Sequence, residues 1–164
     1  MKTANCQKLS LIRQIDFAET DRVETRRKLN DQWLITNGLG GYASGTISGA
    51  VTWRYHGLLI AALPAPLGRM LMFNHLTESL RLEDGRVVDF GGAELNAEDD
   101  SENGTYLQSF RLENQLPIWR YKVEGVEIEK RIIMPYLQNT VHVSFALKSD
   151  HPAVRLLLRP SIQF

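Results

Sequence analysis

Ile118-Trp-Arg-Tyr-Lys-Val-Glu-Gly-Val-Glu-Ile-Glu129 is the stretch on which the fold turns. Trp119, Tyr121 and Val123 alternate with Arg120 and Lys122; beyond Glu124-Gly125, Val126 and Ile128 alternate with Glu127 and Glu129. Successive strand side chains point to opposite faces, so this alternation marks a strand with one buried face. A glycine between two such runs supplies the positive φ of a tight hairpin turn. The stretch predicts an antiparallel pair, residues 118–123 with 126–134.

The same pattern recurs on both sides. Leu80-Arg-Leu82 and Val87-Val88 flank Asp84-Gly85, a second hairpin. Val141, Val143, Phe145 and Leu147 alternate with Thr140, His142, Ser144 and Ala146. A turn at Ser149-Asp-His-Pro152 leads to Val154, Leu156 and Leu158, which alternate with Arg155, Leu157 and Arg159. Residues 8–17 predict an opening strand with Leu9, Leu11, Ile12 and Ile15 inward. Residues 19–29 are densely charged and lack proline and glycine, which predicts a short exposed helix or a charged arm. Many short strands without long helical periodicity predict an all-β antiparallel sandwich or barrel. No internal repeat is present.

Composition narrows the function. A chain of 164 residues favours one domain with a real core. Nineteen basic and nineteen acidic residues give zero net charge, which removes the electrostatic argument for a nucleic-acid partner. That balance suits a piece that packs against something else. The single cysteine, Cys6, excludes an internal disulfide framework. Charged residues interrupt the first 17 positions, so no signal peptide or membrane span is predicted and the cytoplasm is the expected compartment.

The run from Trp33 to Leu59 holds six glycines, Gly38, Gly40, Gly41, Gly45, Gly49 and Gly57, set among hydroxyl, aromatic and basic residues. So much glycine is entropically expensive to order, and unusual loops carry function. Gly38-Leu-Gly40-Gly-Tyr-Ala43 fits a dinucleotide fingerprint by letter, but β-branched residues and glycine follow where a helix should start. No acidic residue lies between Asp31 and Glu78 to hold a ribose. Thr46 stands where a phosphate-binding loop needs lysine. No nucleophile elbow occurs. Asp99, Ser101, Asn103 and Gly104 fit the start of a calcium loop, but position twelve is Phe110. His56, His75, His142 and His151 show no zinc spacing, and His142 and His151 read as structural. Glycoside hydrolysis needs two facing carboxylates, and no such pair can be picked. The sequence thus offers no catalytic residue, no metal set and no cofactor. Arg54 and His56 either bind carbonyls of the glycine loop or touch a ligand directly.

Asn37-Gly-Leu-Gly-Gly-Tyr-Ala-Ser-Gly-Thr46 with Arg54-Tyr-His-Gly-Leu-Leu59 closely resembles the N-terminal domain of bacterial and archaeal glycogen debranching enzymes of the amylo-α-1,6-glucosidase type. Phe110 with Leu112, Pro117-Ile-Trp119, Glu129-Lys130, Asn139-Thr-Val141 and Leu156 to Pro160 follow in a similar order. The resemblance covers about residues 30 to 160. Trp53 departs from it, since the family usually has two arginines before the Tyr-His pair, and Val51 stands where a polar residue is common. A contact made by the first arginine would be altered here.

The resemblance implies a β-sandwich of supersandwich type that precedes an (α/α)6 barrel, with the catalytic carboxylates on the barrel. On this reading residues 1–164 are one non-catalytic domain cut from a longer chain. Asn37, Gly40, Gly41, Tyr42, Ser44, Trp53, Arg54, Tyr55 and His56 are the candidates for sugar contact or for the domain interface. Expected partners are glycogen or maltooligosaccharide, the barrel of the same polypeptide and a second copy in a homo-oligomer, with no nucleic acid and no membrane. The rival readings are a stand-alone carbohydrate-binding module and a structural or oligomerisation domain.

Overall fold

The computed structural model describes residues 12–17, 22–91, 106–148 and 154–162. Leu9 and Leu11, the turn at 149–152 and the acidic stretch at 98–104 lie outside them. The elements are β1 (Ile12–Asp16), α1 (Arg22–Leu29), β2 (Gln32–Thr36), β3 (Tyr42–Thr46), β4 (Gly57–Ala62) and β5 (Arg69–Arg81), followed by β6 (Val87–Gly91), β7 (Leu107–Glu113), β8 (Leu116–Val123), β9 (Val126–Ile133), β10 (His142–Leu147) and β11 (Arg155–Ile162). One sheet runs β1-β7-β8-β9-β10 and the other β11-β5-β4-β3-β2, with β6 also paired to β5. Every pairing is antiparallel. The chain is a β-sandwich carrying one short charged helix.

The deciding hairpin forms as read, with Val123 opposite Val126 and Lys122 opposite Glu127. Glu124 and Gly125 both take positive φ, 47° and 86°. Trp119, Tyr121, Val123, Ile128 and Ile132 face inward and meet Trp33, Ile35, Ala43 and Leu80 of the other sheet. Trp119 is the hub of that core. Its ring stands edge-on to Trp33 at 5.3 Å and to Phe110 at 5.2 Å, geometry that favours aromatic pairs beyond simple burial. Both indoles also grip the turn after β3. Trp119 Nε1 donates to Ile47 O at 2.8 Å and Trp33 Nε1 to Thr46 O at 3.1 Å.

Two alternation readings need correction. Leu147 and Leu158 are exposed rather than inward, and β10 and β11 are the edge strands of the two sheets among the described residues. Glu129 holds its outward register but is buried, because Arg131, Lys148 and Arg111 close over its carboxylate at 2.7, 3.0 and 3.2 Å. Burial alone would raise its pKa. The hydrogen bonds from Arg131, Lys148 and Arg111 outweigh that and lower it from 4.5 to about 2. A depressed carboxylate pKa contributes stability that is complete above the unfolded value and lost as pH falls through the folded one. Stability should therefore decline between about pH 4.5 and 2, and denaturant melts of Glu129→Gln should show a shallower decline across that window.

Among the described residues no helix is long and apolar enough to cross a membrane. No group of three or more His, Cys, Asp or Glu side chains there could hold a metal ion.

Candidate functional site

The glycine run folds into two structures with different duties. The first is the β2–β3 loop, residues 37–41. Asn37 is fully buried and its side-chain amide is saturated. Oδ1 accepts from the amides of Leu39 (2.9 Å) and Gly41 (3.0 Å), while Nδ2 donates to Gln138 O (2.8 Å) and Asn139 Oδ1 (3.1 Å). Asn139 pairs with Ala62 as one peptide unit pairs with another, accepting from its N–H at 3.0 Å and donating to its C=O at 2.7 Å. The Leu137 amide donates to Asn37 O at 2.7 Å. Two asparagines thus brace three separate segments of both sheets.

Glycine is required here for two reasons. Gly38 has φ +79°, and the Tyr136 ring lies against its Cα where a side chain would project. At Gly41 a Cβ would meet Asn37 Nδ2 at 2.7 Å and Ile60 O at 2.9 Å, too close for a real side chain. Arg69 Nε donates to Gly40 O at 2.8 Å and fixes the loop from β5.

The second structure is the turn at 51–56. Its edge is exposed and aromatic, with Trp53 60% and Tyr55 55% accessible. The Arg54 guanidinium lies over the Tyr55 ring at 4.6 Å and donates to its hydroxyl. That hydrogen bond raises the Arg54 pKa further, so the cation is permanent. Tyr42 and Ser44 point outward from β3 and donate to Tyr55 O at 3.3 and 3.2 Å, pinning the turn to the sheet. His56 is buried beneath it with Nδ1 3.5 Å from Thr52 Oγ1. Burial lowers its pKa, so the ring is neutral at neutral pH. Arg69, rather than Arg54 or His56, bonds a carbonyl of the glycine loop; Arg54 bonds Tyr55 and His56 faces Thr52.

Behind the turn lies a cleft of about 30 Å³, lined in part by Trp33, His56, His75, Trp119 and Lys130. It has room for about one water and not for a sugar ring. The aromatic edge of the turn, by contrast, lies open to solvent. Of the nine sequence candidates, Tyr42, Ser44, Trp53, Arg54 and Tyr55 gather there. Asn37, Gly40 and Gly41 build the braced loop, and His56 lies underneath. Sequence reading missed Arg69 and Tyr136. Neither falls in a motif, and both reach the glycine loop from distant chain.

Residues 32–77, which carry both structures, contain no Asp or Glu. Glu78 itself is fully buried between the sheets, in an ion pair with Lys130. Burial, and after it the charge of Glu78, pushes the Tyr121 phenol pKa well up.

Residues 31–164 match the family described as glycogen debranching enzyme N terminal. Comparison with curated proteins and with solved structures gives no match.

Proposed function

The chain belongs to the glycogen debranching enzyme N-terminal family, and we propose that it is a non-catalytic domain whose 51–56 turn contacts the α-glucan while the catalytic barrel of the same polypeptide performs hydrolysis. The observation that carries this reading is the exposed Trp53–Arg54–Tyr55 edge, held by Tyr42 and Ser44 on a rigid sheet. Aromatic faces suit the CH surfaces of sugars, and guanidinium and hydroxyl groups bond sugar hydroxyls. Trp53 replaces the family's usual first arginine with a stacking surface. Neither the 37–41 loop nor the 51–56 turn contains a carboxylate, and glycosidic cleavage needs an acid and a base across one bond. Asn37, Gly40, Gly41 and His56 serve by holding the surface in place.

The test is kinetic and uses the full-length enzyme. Each aromatic ring contributes about 1 kcal/mol, so Trp53→Ala with Tyr55→Ala should raise KM for a branched α-glucan by roughly tenfold or more. Both side chains are exposed, so kcat and Tm should hold. A KM equal to that of the unmodified enzyme would refute the contact.

A further inference from the structure

Three exposed apolar side chains crown the braced loop: Leu39 from the β2–β3 loop, with Tyr136 and Leu137 from the β9–β10 connection. Tyr136 is 77% accessible and Leu137 52%. Leu137 also holds φ +58°, the left-handed region that a branched side chain enters at a cost of about 1–2 kcal/mol. Its backbone N–H donates to Asn37 O and holds it there. Strain of this kind persists only where the surroundings over-determine it, and it clusters at functional positions.

Resting on the family reading above, we propose that this apex of Leu39, Tyr136 and Leu137 is the surface on which the rest of the debranching enzyme docks, and that it takes protein rather than sugar. The matched family is an N-terminal domain by description, so the polypeptide that follows it in such enzymes is a partner always at hand. The chemistry favours that occupant. Interface cores are rich in tyrosine and poor in charge. A sugar needs donors and acceptors aimed outward, yet the side-chain amides of Asn37 and Asn139 are turned inward and bonded. A surface already fixed by two asparagines and Arg69 loses little conformational freedom on docking. The 51–56 turn differs in its apolar content: it sets two rings side by side with Arg54 stacked on one of them, whereas the apex sets two leucines beside its one ring. The two surfaces divide the labour, one for protein and one for glucan.

Hydroxyl-radical footprinting of the full-length enzyme, with and without maltoheptaose and across a dilution series, tests this. Exposed Leu34 and buried Tyr121 of the same domain set the scale. Oxidation of Leu39, Tyr136 and Leu137 should fall to the level of Tyr121 without sugar and at every protein concentration. Oxidation like that of Leu34 overturns the proposal. So does protection that appears only with maltoheptaose, which assigns the apex to sugar, or protection that vanishes on dilution, which assigns it to a second copy. Trp53 and Tyr55 report separately. If maltoheptaose leaves them unchanged while the apex is protected, the glucan contact fails and the docking surface stands.

Discussion

Replacing Lys130 with methionine is expected to destabilise the domain by about 3–5 kcal/mol, seen as a large drop in the denaturant midpoint. Lys130 reaches inward from β9, its ammonium 5.0 Å from the centre of the Trp119 ring, and pairs with the fully buried Glu78 of β5. The pair joins the two sheets across the core. Removing the lysine leaves a carboxylate sealed from water with no ion-pair partner among the described residues, and that desolvation penalty outweighs the lost attraction itself. Gly91 closes the other side, since a Cβ there would strike Glu78 Oε2. The companion experiment separates the two terms. Glu78→Leu combined with Lys130→Met removes both charges and should recover most of the stability. A double variant no more stable than Lys130→Met would show that shape, not charge, is what the site supplies. The acidic residue that ends the long acid-free stretch is thus sealed in the core, away from solvent.

Asn37→Ala should cost about 3 kcal/mol or more, the sum of several buried groups left without partners. The amides of Leu39 and Gly41, the carbonyl of Gln138 and Asn139 Oδ1 each lose the bond they make to Asn37. Asn37→Asp is a sharper probe. It keeps the two acceptor contacts but turns an oxygen toward Gln138 O and Asn139 Oδ1, so it should be destabilising too, whereas a merely local turn would tolerate it. Hydrogen exchange at Leu39, Gly41, Ala62 and Leu137 should quicken together in either variant, because one network ties them. Fast exchange confined to Leu39 and Gly41 would contradict the brace.

The β-rich architecture was legible because hairpins write local signals. Glu124-Gly125 and Asp84-Gly85 carry glycine where φ must be positive, and the flanking runs alternate. The β7–β8 hairpin was not legible. It turns at Asn114 and Gln115, with φ of 51° and 68°, and glutamine is no signature of that conformation. β5 hid its length for another reason. It runs for 13 residues, but its register shifts against β4, β6 and β11 break the two-residue period.

The site followed the same logic. The glycine run announced an unusual loop, but not what the loop wraps around. Asn139 lies 102 residues from Asn37 and Arg69 lies 29 from Gly40, so the brace is a tertiary fact. Likewise Arg54-Tyr-His56 reads as one polar cluster, yet the turn before β4 sends His56 into the domain and leaves Arg54 and Tyr55 outside.

The most direct measurement is a crystal structure of the full-length enzyme with a maltooligosaccharide bound. The account predicts a glucose ring against Trp53 or Tyr55, with the scissile glycosidic oxygen beside carboxylates from outside residues 31–164. A sugar chain that nowhere approaches the 51–56 turn, or a carboxylate of this domain bonded to the scissile oxygen, would contradict it.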